Sequence, residues 1–356
     1  MFDRKLLLAL ALVPGLGPLT IQKIINALDD PKDIWELSPG DQKALGLRKP
    51  LPPFEDTLKR AEKEIKALER LGASYVTFWD EDYPLLLKEI ATPPPVIFYC
   101  GSLPQGRDLL SVVGSRSASS YGLSVTKEWV SIFVQNGLGI ISGLAMGVDG
   151  AAHRAALKGG GLTYAVLGCG LDIDYPAAHR HLRRKILAAK GGLLTEFPLG
   201  TEPRAGNFPV RNRIISGLSK VVLVVEASLK SGSLITARLA AEQGREVFAV
   251  PGPVYSLRSQ GCHQLIREGA NLADKPEDVL SVFGVKPKSF SPPSELTLGP
   301  EEAKVLEHLS GSPLSIDEIV YLSGLSTVEV ARILTELELE GLVERLPGNF
   351  YRRVRR

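Results

Sequence analysis

The feature that most constrains the fold is an alternation of short apolar runs with helical patterns between residues 73 and 285. Several runs, such as Leu109–Val113, are continuous and rich in β-branched residues, which is typical of strands buried on both faces of a parallel sheet. The alternation predicts an α/β fold with a doubly wound, mostly parallel sheet. The predicted strands are Tyr75–Phe78, Val96–Tyr99, Leu109–Val113, Gly139–Ile141, Thr163–Leu167, Leu193–Thr195, Val221–Val225 and Val247–Val250.

Glycine and serine follow four of the predicted strands, near the point where a helix begins. The run that ends at Val113 leads into Gly114, Ser115 and Arg116. A strand, a turn of small residues and a helix can present free backbone N–H groups to an anion, and arginine adds a positive charge. Because ligands of such sheets bind beyond the carboxyl ends of the strands, we expect a row of free N–H groups along one edge. The other strand ends contribute Ser142 and Gly143, Gly168 and Gly170, and Ser231.

A basic segment between residues 179 and 213 favours a polyanionic ligand. It ends in Phe208, Arg211, Asn212 and Arg213, which we interpret as a loop that carries an aromatic ring, an amide and two guanidinium groups. Arginine binds phosphate and an aromatic ring can stack on a base, so this combination is typical of proteins that bind single-stranded nucleic acid.

The same residues also have purely structural interpretations. Phe208 could anchor the loop in the core, and Arg211 and Arg213 could form ion pairs with Glu196 or Glu226. The sequence leaves both interpretations open.

The sequence gives little evidence for catalysis or for a bound cofactor. The turn at Gly114 lacks the G-x-G-x-x-G pattern of a dinucleotide site, and there is no P-loop. Lys230 could reach a phosphate, although an ordinary surface lysine is the simpler interpretation. His153 follows Asp149 by four residues, which fits an acid–base pair but equally a packed, hydrogen-bonded histidine. We therefore expect no cofactor, no metal and no catalytic residue.

Residues 1–72 have an all-helical pattern, in which the turn Pro14–Pro18 joins two apolar helices. This SAM/helix-hairpin-helix-like arrangement can offer N–H groups to a nucleic-acid phosphate, although the glycines of the turn could serve packing alone. The opening apolar stretch lacks a signal-peptide cleavage site, and no run is long enough to span a membrane. Three widely separated cysteines without a disulfide framework favour a cytoplasmic location.

The C-terminal part is predicted to be a separate small domain. Residues 286–298 are rich in proline, serine and lysine, which is typical of a linker. Residues 299–356 have three short helical patterns and a hairpin, which together predict a winged helix. Because its third helix is acidic and would be repelled by phosphates, we expect this domain to contact protein or to pack. The acidic residues are Glu329, Glu336, Glu338 and Glu340. The hairpin and tail are basic, which leaves a minor DNA role open, through Arg345, Arg352, Arg353, Arg355 and Arg356.

Six motif stretches follow one another in the α/β region: Val113–Arg116 with Tyr121 and Gly122, Ser142–Asp149 with His153, Phe208–Ser219, Ser231–Ala237, Gly244–Gly252 and Gly261–Ala270. Together they resemble, in order, the DNA-processing protein A (DprA/Smf) family. The helical N-terminal region and the winged helix also match the layout of this family.

The resemblance implies an extended Rossmann-like domain that binds single-stranded DNA without strong sequence preference. Members of the family act in the bacterial cytosol during natural transformation, where they protect incoming strands and help to load the RecA recombinase, usually as homodimers. Met146 is a departure, because many members have arginine there. Carried over by motif, the DNA-contact candidates are Gly114, Ser115, Arg116, Ser142, Gly143, Phe208, Arg211, Asn212 and Arg213, with Lys230 and Ser231 as weaker additions.

The extended Rossmann topology also resembles that of nucleotide phosphoribohydrolases of the lysine-decarboxylase-like family. Those enzymes use a Pro-Gly-Gly-x-Gly-Thr-x-x-Glu loop with a catalytic glutamate. Ser231–Arg238 stands at the comparable place and has no glutamate at the required spacing. A DNA-binding protein is therefore favoured, with such an enzyme as the alternative.

Overall fold

The computed structural model describes residues 3–106, 108–285, 299–309, 313–339 and 342–354. The chain forms two compact units, Met1–Pro287 and Lys288–Arg356. The N-terminal helices and the large sheet both belong to the first unit, and the predicted boundaries at residues 72 and 285 stay predictions. The predicted linker, residues 286–298, lies outside the described residues.

The N-terminal region is helical, as the sequence predicts. Its small core is built from residues such as Leu10, Ile24 and Ile34, all fully buried. The turn between the first two helices contains Gly15, whose positive φ of 85° suits glycine. The elements are α1 (Arg4–Ala11), α2 (Pro18–Ala27), a 3₁₀ helix (Pro31–Trp35), α3 (Pro39–Ala44) and α4 (Phe54–Leu71).

A nine-stranded, mostly parallel sheet forms the centre of the first unit, in the order β1-β2-β6-β5-β4-β3-β7-β8-β9. The strands from β6 to β9 in this order pair in parallel, whereas β1 pairs antiparallel with β2 and β2 antiparallel with β6. The prediction of a mostly parallel α/β sheet is confirmed. The strands are β1 (Ala73–Thr77), β2 (Val96–Gly101), β3 (Leu109–Val113), β4 (Gly139–Ser142), β5 (Thr163–Val166), β6 (Gly192–Thr195), β7 (Val221–Val224), β8 (Glu246–Ala249) and β9 (Asn271–Leu272).

Helices cover both faces of this sheet. In β7, Val222 and Val224 belong to one apolar cluster while Val221 and Leu223 belong to another, so successive side chains enter opposite layers. This two-sided burial explains the unbroken apolar runs of the sequence. The helices are α5 (Leu85–Lys88), α6 (Ser120–Gln135), α7 (Val148–Lys158), a 3₁₀ helix (Ala177–His179), α8 (Arg180–Ala188), α9 (Asn207–Gly217), α10 (Gly232–Glu242), α11 (Gln260–Arg267) and α12 (Pro276–Val282).

The strand order reverses between β3 and β7. From β3 the chain adds β4, β5 and β6 on one side, and from β7 it adds β8 and β9 on the other. The loops that follow β3 and β7 therefore diverge at the carboxyl edge of the sheet. A crevice at such a reversal is where open α/β sheets bind their ligands.

The second unit has three helices and a three-stranded sheet in the order β10-β12-β11, which confirms the predicted winged helix. Its core includes Val305, Ile319, Ile333 and Tyr351. Among all residues that the structure describes, there is no helix with the length and apolar character needed to cross a membrane. The elements are α13 (Pro300–His308), β10 (Leu314–Ser315), α14 (Ile316–Ser323), α15 (Thr327–Leu339), β11 (Val343–Leu346) and β12 (Phe350–Arg353).

Candidate nucleic-acid interface

A groove of about 770 Å³ lies at the reversal of strand order. The loop after β3 lines it from Gly114 to Ser117, and the loop after β7 lines it with Ser228, Lys230 and Ser231. The first turns of α9 form a further wall. We call this space the switch-point groove. It has the position that the sheet topology favours for a ligand.

The predicted loop from Phe208 to Arg213 is wrong, because these residues lie in α9 (Asn207–Gly217). Proline interrupts a helix interior, but Pro209 does not stand in the interior of α9. Here it stands in the first turn, where the missing N–H donor would have had no partner within the helix anyway.

The helix divides the predicted contact residues between two faces. Phe208, Arg211 and Asn212 are spaced by three and four residues, and all three line the switch-point groove. Arg213 is turned away from this groove, and its guanidinium donates two hydrogen bonds of 2.7 Å to the carboxylate of Glu196. The ion-pair interpretation therefore holds for Arg213, whose side chain is 11% exposed.

An arginine and two aromatic rings meet inside the groove. The Arg116 guanidinium lies over the Phe208 ring, 5.2 Å from its centroid. The Tyr175 ring lies 5.6 Å from that of Phe208 and is tilted by 40°. Arg116 is exposed while Phe208 is half-buried, so the ring supports the guanidinium at the groove surface. A planar cation held in this way can contact a phosphate or stack on a base.

Gly168 makes room for the aromatic ring. A Cβ atom at this position would lie 2.8 Å from Cδ1 of Phe208, closer than two carbons pack. The glycine after β5 thus serves the packing of α9 against the sheet edge.

Arg211 lines the groove but is only 4% exposed, and it mainly anchors the strand ends. Its Nη1 donates to the carbonyl oxygens of Gly143 (2.9 Å) and Val166. Burial lowers the pKa of Arg211 to about 10, and the nearby Asp149 carboxylate opposes that shift. Burial likewise raises the pKa of Asp149, against the attraction of Arg211. Arg211 and Asp149 are therefore a mutually dependent buried pair.

The expected row of free N–H groups is not formed at two of its positions. The Ser115 N–H donates to the backbone carbonyl of Glu226 (2.7 Å), which lies just beyond β7. The Gly143 N–H donates to the Asp149 carboxylate (3.1 Å). Because buried backbone groups need partners, the fold satisfies these donors internally and leaves them unavailable to an anion.

Two further predicted residues are structural. Ser142 is fully buried, and its hydroxyl donates to the Val112 carbonyl oxygen (2.7 Å), joining β4 to β3. Gly114 lines the groove, but its lack of a side chain matters for packing, because a Cβ there would lie 2.7 Å from Cγ2 of Val148.

The remaining candidates lie along the β7 side of the groove. Lys230 is exposed at the groove surface. Ser231 is the N-cap of α10, where its hydroxyl accepts from the Ser233 N–H (3.4 Å). Asn212 is 8% exposed, and its amide donates to the Gly232 carbonyl oxygen (3.3 Å). Lys230 thus presents its ammonium group at the groove surface, whereas Ser231 and Asn212 form part of the groove wall.

Comparison with known families identifies this architecture. The family model of DNA recombination-mediator protein A matches residues 74–284. The chain belongs to this family. A model of the DprA winged helix domain matches residues 289–349. The DprA/Smf resemblance of the sequence motifs is thereby confirmed.

Relatives of this DprA/Smf family are similar over most of the chain. Protein Smf of Synechocystis sp. is 33% identical over 97% of this chain and 98% of its own length. The structure of DNA processing protein A from Streptococcus pneumoniae covers 79% of this chain and 98% of its own, with 36% identity and a TM-score of 0.64. The structure of DNA processing protein A from Helicobacter pylori, described for its single-stranded DNA binding mode, covers 59% of this chain and 95% of its own. Its sequence identity is 28% and its TM-score is 0.52.

Sequence reasoning missed two residues of this family member's groove, Tyr175 and Arg258. Arg258 is exposed, lines the groove and donates from Nε to the Ser117 carbonyl oxygen (2.9 Å). It lies in the loop after β8, the strand that neighbours β7. Since ligands bind beyond the carboxyl ends of parallel strands, a search of the loop after β8 would have found Arg258. Tyr175 lies between β5 and the 3₁₀ helix Ala177–His179, and its sequence context gives no signal beyond its being aromatic.

The groove of this DprA/Smf chain is cationic. Arg116, Arg211, Lys230 and Arg258 line it, against Asp149 as the one carboxylate among the described lining residues. The structure describes no group of three or more histidine, cysteine or acidic residues that could hold a metal ion.

The proposed acid–base spacing of Asp149 and His153 has a structural explanation. The buried His153 ring lies 2.7 Å, Nδ1 to Oγ1, from Thr163, and burial lowers its pKa to about 3. A neutral, packed histidine thus accounts for this residue.

Proposed function

We propose that this chain binds single-stranded DNA in the switch-point groove, without strong sequence preference. The observation that carries the proposal is the Arg116 guanidinium held over the Phe208 ring at 5.2 Å, in a groove with three exposed cationic residues. Cations track a phosphate backbone, and planar groups stack on any base, so binding of this kind is sequence-tolerant.

The groove suits a strand better than a nucleotide cofactor. The turn after β3 has no dinucleotide fingerprint, and its Ser115 N–H is engaged with Glu226. Exposed cations instead come from three separate loops, with Arg116, Lys230 and Arg258. Charges spread along a groove fit a backbone with repeated phosphates.

The cellular part of the proposal rests on the family. We infer that this member protects incoming single strands and helps to load RecA recombinase during natural transformation, in the cytoplasm and as a homodimer. Family membership and the described single-stranded DNA binding of the Helicobacter pylori protein support this inference. We further propose that the chain is a binding protein and not an enzyme.

Fluorescence anisotropy with single- and double-stranded DNA of the same mixed sequence tests the proposal. We expect tighter binding of the single strand, with affinity that falls as salt rises and changes little between sequences. Equal binding of the duplex, or a large preference for one sequence, would argue against it. Release of free base from AMP would support the phosphoribohydrolase alternative instead.

A further inference from the structure

A second cavity, of about 1270 Å³, lies between the N-terminal helices and α9. The turn before α2 lines it with Gly15 and Gly17, and α9 lines it with Pro209, Val210 and Arg213. The switch-point groove lies on the other side of α9. We call this second space the N-terminal groove.

The N-terminal groove is cationic. Lys23, Lys43, Arg48 and Lys49 line it, and all four are exposed. None of them forms an ion pair with a carboxylate of the described residues. Glu196 also lines the N-terminal groove, but its carboxylate is already bound by Arg213. It therefore does not compensate the charge of the four cations.

The two grooves meet at Pro209, which lines both. The helical geometry of α9 explains this meeting, because Phe208 and Arg211 face one groove while Val210 and Arg213 face the other. Pro209 and Val210 are exposed and apolar, and Pro209 lines both grooves. A flexible chain in one groove can continue across these two residues into the other.

We propose that the N-terminal groove binds the continuation of the single strand held in the switch-point groove. This inference rests on the proposed function and extends its site. Lys23, Lys43, Arg48 and Lys49 neutralise successive phosphates, and the exposed Leu19 and Val210 contact unpaired bases. The N-terminal region thereby lengthens the strand that one chain can hold.

A length series of oligothymidylates, from about 4 to about 16 nucleotides, tests this inference. The test variant is the full chain with Lys43→Ala and Lys49→Ala. The matched control is Lys63→Ala with Lys127→Ala, which removes the same charge at exposed positions that line neither groove. Kd is measured by anisotropy over a range of salt concentrations.

We expect the test variant to bind the shortest strands like the wild type and the longest strands roughly three- to tenfold more weakly. Its salt slope for the longest strand should fall by about 1.4, at roughly 0.7 per phosphate contact. The control variant should keep the wild-type length dependence.

Unchanged binding at every length would overturn the inference, and so would equal weakening of short and long strands. A wild-type chain that binds no single strand of any length would instead contradict the proposed function itself. Retained binding of the shortest strands also reports that the variant is folded.

Discussion

The Arg116 guanidinium lies 5.2 Å from the centroid of the Phe208 ring and so connects the loop after β3 with the first turn of α9. The two residues belong to elements that are distant in sequence, and they meet in the switch-point groove, where the strand order reverses. The Phe208 ring thereby holds the Arg116 guanidinium in place at the groove surface. Binding of a single strand is expected to depend on both members.

Phe208→Leu should weaken binding of single-stranded DNA by about 1–3 kcal/mol, the usual contribution of one stacking platform. Leucine retains bulk against Gly168 but removes the π-face beneath Arg116. Phe208→Tyr is the matched control and should bind nearly like the wild type. A leucine variant with wild-type Kd would mean that the ring serves packing alone.

Arg211→Ala should lower the free energy of unfolding by about 3–5 kcal/mol, because it leaves the buried Asp149 carboxylate without its cation. The double variant with Asp149→Asn should recover part of this loss. Denaturant unfolding measures both effects. An Arg211→Ala protein of wild-type stability would contradict the anchoring role.

The stability deficit of Arg211→Ala should also depend on pH. Burial already raises the pKa of Asp149, and loss of Arg211 raises it further. A carboxyl whose folded pKa lies above its unfolded value costs stability as pH rises between the two. The deficit should therefore grow as pH rises above the ordinary carboxyl range and shrink as pH falls toward it, which unfolding curves at several pH values would check.

Met146→Arg should strengthen single-strand binding and steepen its salt dependence by about 0.7. Met146 is 46% exposed and lines a small cavity together with Arg116 and Phe208, so an arginine there adds a cation beside the groove. Met146→Gln, which is polar but uncharged, is the control. An unchanged salt slope for the arginine variant would mean that no phosphate passes this position.

Removal of residues 299–356 should leave most of the single-strand affinity intact. In the winged helix Arg332 lies within ion-pair distance of Glu301 and Glu336, and Arg352 pairs with Glu344, so these two cations are already paired with carboxylates. Kd of the truncated chain, compared with that of the full chain, measures the effect. A near-total loss would refute the argument from charge.

The sequence predicted the sheet well because strands that are buried on both faces, such as β3 and β7, consist almost entirely of apolar residues. It also predicted the edge of the sheet at which the candidate groove lies, since that follows from strand direction. It failed where a backbone donor finds its partner in a distant segment. The Glu226 carbonyl that accepts from the Ser115 N–H is the example, whereas the ion pair of Arg213 with Glu196 was among the interpretations that the sequence left open.

The sequence also did not show that Arg211 and Arg213 lie on different faces of a helix, and the reason is different. As a loop, the segment would let Arg211 and Arg213 reach the same ligand, whereas a helix turns them to different faces. In the helix, Phe208 packs against Gly168, a contact with a distant segment that the local sequence does not reveal. The roles of the candidate residues in DNA binding stay predictions.

The most direct test of the central claim compares wild type and Arg116→Ala in salt-titrated binding of a single strand, with Lys127→Ala as a charge-matched control outside the groove. The account predicts weaker binding by Arg116→Ala and a salt slope smaller by about 0.7, while the control keeps the wild-type slope. An Arg116→Ala protein with wild-type affinity and slope would contradict it.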